Sequence, residues 1–216
     1  HGDYLQFVEK TGHRIPFISE KEYLDQGFLV HSYSKVKKFL WINNTPLEAL
    51  KKHPVLLVSV GDAETFCQWK GEQWNRSVGI GNQGSRTFRL PTEDEWEKAA
   101  KGTDQRYFPW GNDWQPSFLN SASNGHYFTT AVDQYPQGKS SYGVYDLSGN
   151  VFEWTATPAE WNPQKHILKS CSWDDAPGIC RSAARHGRLK SSRHILIGFR
   201  CVSVREEGSL YQNSKK

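Results

Sequence analysis

Thiols and imidazoles are the side chains of this 216-residue chain that could carry chemistry. Cys67, Cys171, Cys180 and Cys201 form an even set with no Cys-x-x-Cys pair. That spacing suits no zinc site and leaves two disulfides, or one disulfide with buried thiols, as the ordinary outcomes. Cys171 and Cys180 could pair with each other or hold a metal, and structural roles are favoured because neither has a metal-ligand partner at a recognisable spacing. The eight histidines, at 1, 13, 31, 53, 126, 166, 186 and 194, show no His-x-x-x-His or facial-triad spacing, which disfavours a mononuclear metal enzyme.

The stretch from 172 to 200 has a different character. Trp173, Pro177, Cys180, Arg181, Ser182, Ala183, Arg185, Arg193 and the run 197–200 read as a rigid frame. Between them lie acidic, aliphatic, imidazole and glycine residues in no amphipathic order, the mark of a displayed surface more than of a packed element or a tuned active site.

The elements that must position these residues come from the rest of the chain. Its length suits one domain with its own core. Only 37% of residues are hydrophobic, yet there are 9 Trp, 9 Tyr and 11 Phe, so much of the core volume must come from rings whose polar edges need partners. The 27 basic and 23 acidic residues are interspersed, with no basic stripe on a recognisable module, so nucleic acid is not an expected partner. No apolar run is long enough to span a bilayer. The chain opens on His1 and contains no Met, and the expectation is that the native start and any signal or membrane anchor lie outside it.

Tyr4, Leu5, Phe7 and Val8 share a helical face over 3–9, ending near Gly12. From 17 to 50 no period is evident, and loop is expected. The apolar run 55–60 after Pro54 predicts a buried strand. Ala63, Phe66 and Cys67 put a core-facing stripe on a short helix over 62–70. Loop follows at 79–85, and then Thr92 with Glu95 gives a capping box for a helix whose inner face is Trp96, Ala99 and Ala100. Loop is expected again to about Gly143, with short strands at 149–155, 166–172 and 197–204. The expected class is α+β, with two helices early, short strands late and long irregular loops. A single domain over 1–207 and a frayed tail at 208–216 complete the layout.

Four ordered motifs carry a resemblance: Phe88-Arg-Leu-Pro-Thr-Glu-Asp-Glu-Trp-Glu-Lys-Ala-Ala, Phe108-Pro-Trp-Gly-Asn, Tyr142-Gly-Val-Tyr-Asp-Leu-Ser-Gly-Asn-Val-Phe-Glu-Trp and Ile197-Gly-Phe-Arg-Cys. They resemble the sulfatase-modifying, formylglycine-generating enzyme family, which implies a C-type lectin-like fold. The resemblance implies structural roles for Trp96, Trp110 and Trp154 and a long-range Cys67–Cys201 disulfide, hence an oxidising, extracytoplasmic compartment. That family mixes enzymes with binding proteins, so it fixes no activity. Its enzymes hold copper on two soft thiolates just beyond a motif that here reads Ser170-Cys171-Ser172-Trp173. The first of those thiols would fall near Asp175, and Cys180 is the only cysteine that follows close by. The iron-dependent sulfoxide synthases of the same family take their ligands from a helical domain that this stretch of chain does not carry.

The resemblance further implies one cofactor, calcium, at Asp146, Gly149, Val151 and Glu153. Side-chain and carbonyl oxygens of this kind suit that ion, while the alternative is that Asp146 and Glu153 cap loops or pair with Arg181 or Arg200. The frame of 172–200 is similar to the variable region of proteins diversified by retroelements, a branch with the same fold. On that likeness the variable, ligand-binding positions are Asp174, Asp175, Ala176, Gly178, Ile179, Ala184, His186, Gly187, Arg188, Leu189, His194, Ile195 and Leu196. Ile179, Leu189, Ile195 and Leu196 would form an apolar centre within a polar rim, and Trp173, Arg181, Arg185 and Arg193 would support them. The expected function is a non-catalytic binding protein at a bacterial cell surface whose ligand is a macromolecule, in the first instance a protein. The alternative is a formylglycine-generating oxidoreductase with altered active-site cysteines. A sugar-binding lectin is disfavoured by the lack of a Glu-Pro-Asn or Gln-Pro-Asp signature.

Overall fold

Local signals account for the longer helices of the protein, of which a computed structural model describes residues 1–27, 30–78 and 85–205. Helix α1 (Gly2–Thr11) buries Tyr4 and Phe7 and stops where Gly12 turns to a φ of 69°, a left-handed conformation that glycine adopts without steric cost. Two short helices follow, α2 (Glu20–Asp25) and α3 (Tyr33–Val36). Helix α4 (Val60–Val78) buries Cys67 completely. Helix α5 (Glu93–Lys101) carries the expected reciprocal cap: the Glu95 amide donates to the Thr92 hydroxyl at 3.2 Å, and the Thr92 amide donates to the Glu95 carboxylate at 2.8 Å. Such a box satisfies two helix-end donors at once, and it delivers Trp96 and Ala100 to the interior.

The strands are β1 (Arg86–Arg89), β2 (Phe152–Ala159), β3 (Asn162–Lys169), β4 (His186–Leu189), β5 (Ile197–Phe199) and β6 (Val202–Arg205). One sheet has the order β4-β3-β2-β5, with β5 parallel to β2 and the other pairs antiparallel; a second pairs β1 with β6. Between α5 and β2 the described chain is irregular, broken only by single 3-10 turns such as Pro116–Phe118 and Pro136–Gly138. The α+β class therefore holds, with curled sheets and few long helices.

Several segments differ from expectation for identifiable reasons. The three helices expected segment by segment, at 3–9, 62–70 and after Thr92, are α1, α4 and α5, one more than the two counted in the expected class, and α4 runs on to Val78. The stretch 17–50 holds α2, capped by Ser19 and Glu22 in a second reciprocal box that a reading for apolar period passes over. The run 55–60 is not a strand. Its side chains are buried, but its backbone bonds go singly to a distant loop, the Leu57 amide to the His194 carbonyl and the Val60 amide to that of Lys190. The strand expected at 197–204 is two strands in different sheets, divided where Arg200 turns inward to Glu153 and Cys201 bonds to Cys67. Strand β4 was not anticipated. The expected loop at 79–85 lies outside the described residues except Ser85, and the expected tail 208–216 lies wholly outside them.

Rings fill the core, and their polar edges are mostly paired. Trp154 is fully buried and donates to the Val58 carbonyl at 3.0 Å, while Trp96 donates to the Glu153 carboxylate at 2.6 Å. Trp110 is only half-buried and packs at the margin. The Cys67–Cys201 disulfide joins α4 to the start of β6 across 134 residues. On the loop-entropy account a closure of that length contributes ~5 kcal/mol. Replacing both cysteines by alanine is expected to lower the urea midpoint by a corresponding amount with the native circular dichroism spectrum retained, and an unchanged midpoint would assign the bond no role in the fold.

Candidate functional site

The C-terminal stretch leaves β3 at Ser170, whose positive φ of 71° redirects the chain. Cys171 then bonds to Cys180, with their Cα atoms 4.8 Å apart. Within this staple the turn organises itself. Asp175 accepts from the Ser172 amide at 2.8 Å and from its hydroxyl at 2.5 Å, and the Ala122 amide donates to the Asp175 carbonyl. Trp173 is buried beneath, stacked on His31 (5.4 Å between centroids, 18° between planes), with the Lys35 ammonium 4.6 Å from its ring centre. Asp174 meets His31 at 3.0 Å. Burial, ahead of any other influence, depresses the His31 pKa despite that carboxylate. Ala176 and Gly178 are exposed and Ile179 is half-buried on the 3-10 turn Pro177–Ile179.

Beyond Cys180 the frame arginines behave differently from one another. Arg185 grips Glu160 at 2.7 and 3.0 Å and Glu93 at 2.8 Å. Arg193 donates to the Leu57 carbonyl at 2.9 Å and pairs with the buried Asp62, which also meets His13 at 2.8 Å. Burial opposes the Asp62 charge, but bonds from Ser59 and the Arg193 guanidinium leave its carboxyl below the usual range. Both arginines join the C-terminal stretch to distant segments. Arg181 differs: among the described residues its side chain bonds only from Nε to the Gly178 carbonyl within its own turn, at 3.2 Å.

Strand β4 carries four of the expected variable positions. His186 points inward, edge-on to Phe152, with its Nε2 buried and unpartnered. Burial lowers its pKa, against a charge-favouring contribution from Asp175. Gly187 lies under Trp161, so a Cβ there would come within 2.8 Å of the ring. Arg188 is half-buried and Leu189 exposed. Ala184, before the strand, is half-buried.

The last three expected positions are corrected by the structure. His194, Ile195 and Leu196 are 1%, 0% and 4% exposed. Their segment lies against 55–60 and α2, with His194 stacked on Tyr23. They are core residues, and the expected apolar centre of Ile179, Leu189, Ile195 and Leu196 is not assembled. Nothing in the local sequence separates a buried turn from a displayed one, because both break the apolar period.

Two of the four oxygen donors expected for calcium are engaged by protein groups. Glu153 is engaged by Arg200 at 2.5 and 2.6 Å and by the Trp96 indole, and Arg200 also donates to the Tyr145 and Asp146 carbonyls. The Gly149 carbonyl accepts from the Ser170 hydroxyl and the Val151 amide. Glu153 thus pairs with Arg200, as in the ion-pair alternative. Among the described residues no group of three or more His, Cys, Asp or Glu is placed to hold a metal ion. All four cysteines are described, and none is free, so the pair nearest the copper position exists as a disulfide.

These geometries can be set beside known proteins. The model of the sulfatase-modifying factor enzyme 1-like domain matches residues 1–205. A Mus musculus protein named inactive C-alpha-formylglycine-generating enzyme 2 is 33% identical over 195 residues, covering 81% of this chain and 58% of its own. The formylglycine-generating enzyme of the same species is 32% identical over 182 residues, 70% of this chain and 44% of its own. This chain thus spans about half the length of such relatives. Among solved structures, Treponema denticola variable protein 1 superposes with a TM-score of 0.63 at 22% identity over 74% of each chain, and PvdO from Pseudomonas aeruginosa with 0.60 at 24% over 72% of this chain and 63% of its own. At those identities the likeness is one of fold.

Asp146 offers a test of the local electrostatics. Burial raises its pKa above the ordinary carboxylate value, reinforced by Glu153 and Asp133 and opposed by the Asp133 amide and Arg200. A carboxyl raised on folding costs stability once pH exceeds its unfolded pKa, and the cost is absent below that value. Asp146→Asn, which keeps an acceptor for the Asp133 amide, is therefore expected to stabilise the protein at pH 7 and to lose that gain as pH falls below about 4. Urea titrations of both proteins at pH 7 and pH 3.5 measure this; a destabilised variant at pH 7 would refute it.

Proposed function

Because the chain belongs to the sulfatase-modifying factor enzyme 1-like domain family, which holds both enzymes and proteins named inactive, we propose that it is a non-catalytic binding protein that presents its C-terminal loop and β4 to a macromolecular ligand. The observation that carries this is the Cys171–Cys180 bond. Cuprous ion needs soft thiolates, and the two thiols nearest the copper position are bonded to each other. The same bond turns the segment between them into a strap with side chains on its outside. The presented set is Asp174, Ala176, Gly178, Ile179, Ala184, Arg188 and Leu189, with Asp175 and His186 lending internal order beneath it and Gly187 covered by Trp161.

Loops on a rigid scaffold can exchange side chains at small cost in stability. This supports the finer reading that the presented positions are diversified by a retroelement and that the ligand is a protein. The fold likeness to Treponema denticola variable protein 1 agrees with it. Two disulfides suit an oxidising compartment outside the cytosol, and display at a bacterial cell surface through an anchor beyond this chain completes the proposal. No described helix is long and apolar enough to cross a membrane.

The enzymatic alternative is tested by incubating the oxidised protein, and the protein after mild reduction, with cuprous ion, dioxygen and a cysteine-containing peptide. The proposal expects neither stoichiometric copper at Cys171 and Cys180 nor aldehyde in the peptide; turnover in either state would overturn it. Diversification is tested in the source genome, by sequencing around the region that codes for 173–200. The expected finding is a near-repeat differing only at adenines beside a reverse-transcriptase gene, and its absence would leave an undiversified binding protein.

A further inference from the structure

Arg185, Arg193 and Arg200 each hold a carboxylate, whereas Arg181, in the same C-terminal stretch, holds none among the described residues. Arg181 lines a cleft of about 510 Å³, with Lys101, Gln105, Arg106 and Tyr107 on one wall and Arg181, Ala183 and Ala184 on the other. The lining contains three cationic side chains and no carboxylate.

The walls are built before any ligand arrives. Arg106 is fixed by Asp104 at 2.6 Å through both Nε and a terminal nitrogen, and by the Pro109 carbonyl at 3.0 Å. Lys101 is held by Glu97 at 3.2 Å and by the Gln105 side chain at 3.5 Å. The two walls are joined by the Ser182 amide, which donates to the Tyr107 carbonyl at 2.8 Å. Arg181 itself stands between disulfide-bonded Cys180 and fully buried Ser182. Its backbone is pinned while its fork is left uncommitted, and the alanine side chains beside it on the same wall leave room.

We propose that this cleft is an oxyanion-binding site, taking a carboxylate, phosphate or sulfate group carried by a ligand, with Arg181 as its principal contact. Lys101 and Arg106 are held in ion pairs with Glu97 and Asp104 and shape the wall, while the Arg181 fork supplies the charge and two parallel donors matched to an oxyanion. The exposed Tyr107 ring gives the group a further wall on the solvent side. The site adjoins the presented loop through Ala183 and Ala184 but does not depend on that loop being a binding face or on its being diversified.

Inorganic phosphate and, separately, acetate are the probes, titrated at constant ionic strength into the nitrogen-15-labelled chain while the Arg181 Nε and the Tyr107, Ser182 and Ala183 amides are followed by magnetic resonance. Saturable shifts confined to these groups are expected with at least one probe, and the stronger probe assigns the oxyanion type. Arg181→Gln should weaken binding roughly tenfold or more, as expected for losing charge-assisted hydrogen bonds, while Lys38→Gln, at an exposed lysine outside the cleft lining, should leave it unchanged. Non-saturating shifts with both probes, or equal losses in the two variants, would overturn the proposal. Because the readout is local, its failure would leave the binding reading of the loop standing, and its success would survive the failure of that reading.

Discussion

The Cys171–Cys180 bond is the constraint on which the C-terminal stretch depends. It fixes both ends of a turn whose interior is ordered by Ser172 and Asp175. A covalent closure of this length restricts the unfolded chain by about 2–3 kcal/mol on the loop-entropy account. The larger consequence is local. With both ends held and Trp173 buried beneath, Ala176 and Gly178 contribute little to packing, and changes at exposed positions of this kind ordinarily stay within about 0.5 kcal/mol. Binding and enzymatic uses of this scaffold therefore diverge at one point, since two thiolates cannot be both a copper pair and a staple.

The rest of the frame relies on charges taken out of water. Glu153 with Arg200 and Trp96, Asp62 with Arg193 and His13, and the fully buried Lys169 with Glu97 each join segments far apart in the chain. Breaking a buried pair by removing one partner typically costs about 3–5 kcal/mol, because the other charge is left unpaired. These networks favour one arrangement of a loop-rich chain strongly over its neighbours. They also coincide with the break in the strand expected at 197–204, where Arg200 turns in to Glu153 between β5 and β6.

What could be read from sequence was what is local. The Thr92–Glu95 box and the Gly12 stop require only neighbouring residues, and both are where the spacing put them. The Cys67–Cys201 pairing followed from family resemblance, since spacing alone left several pairings open. Long-range pairing was not legible. The run 55–60 has a strand's composition, but its partners are single carbonyls at 190 and 194, and only the folded chain reveals them. For the same reason Ile195 and Leu196 read as an exposed apolar centre when they are core. Arg181 was expected to support the loops, in common with Arg185 and Arg193, because three arginines in one frame look alike until their partners are seen.

The central claim is that a closed frame presents residues whose identity the fold does not need. Saturation substitution across 174–196, scored by the yield of folded protein in a protease-resistance display assay, tests it most directly. The account predicts broad tolerance at Asp174, Ala176, Gly178, Ile179, Ala184, Arg188 and Leu189, and intolerance at Cys180, Arg193, His194, Ile195 and Leu196. Equal intolerance in the two sets would contradict it, because the loop would then be part of the core it is held to surround.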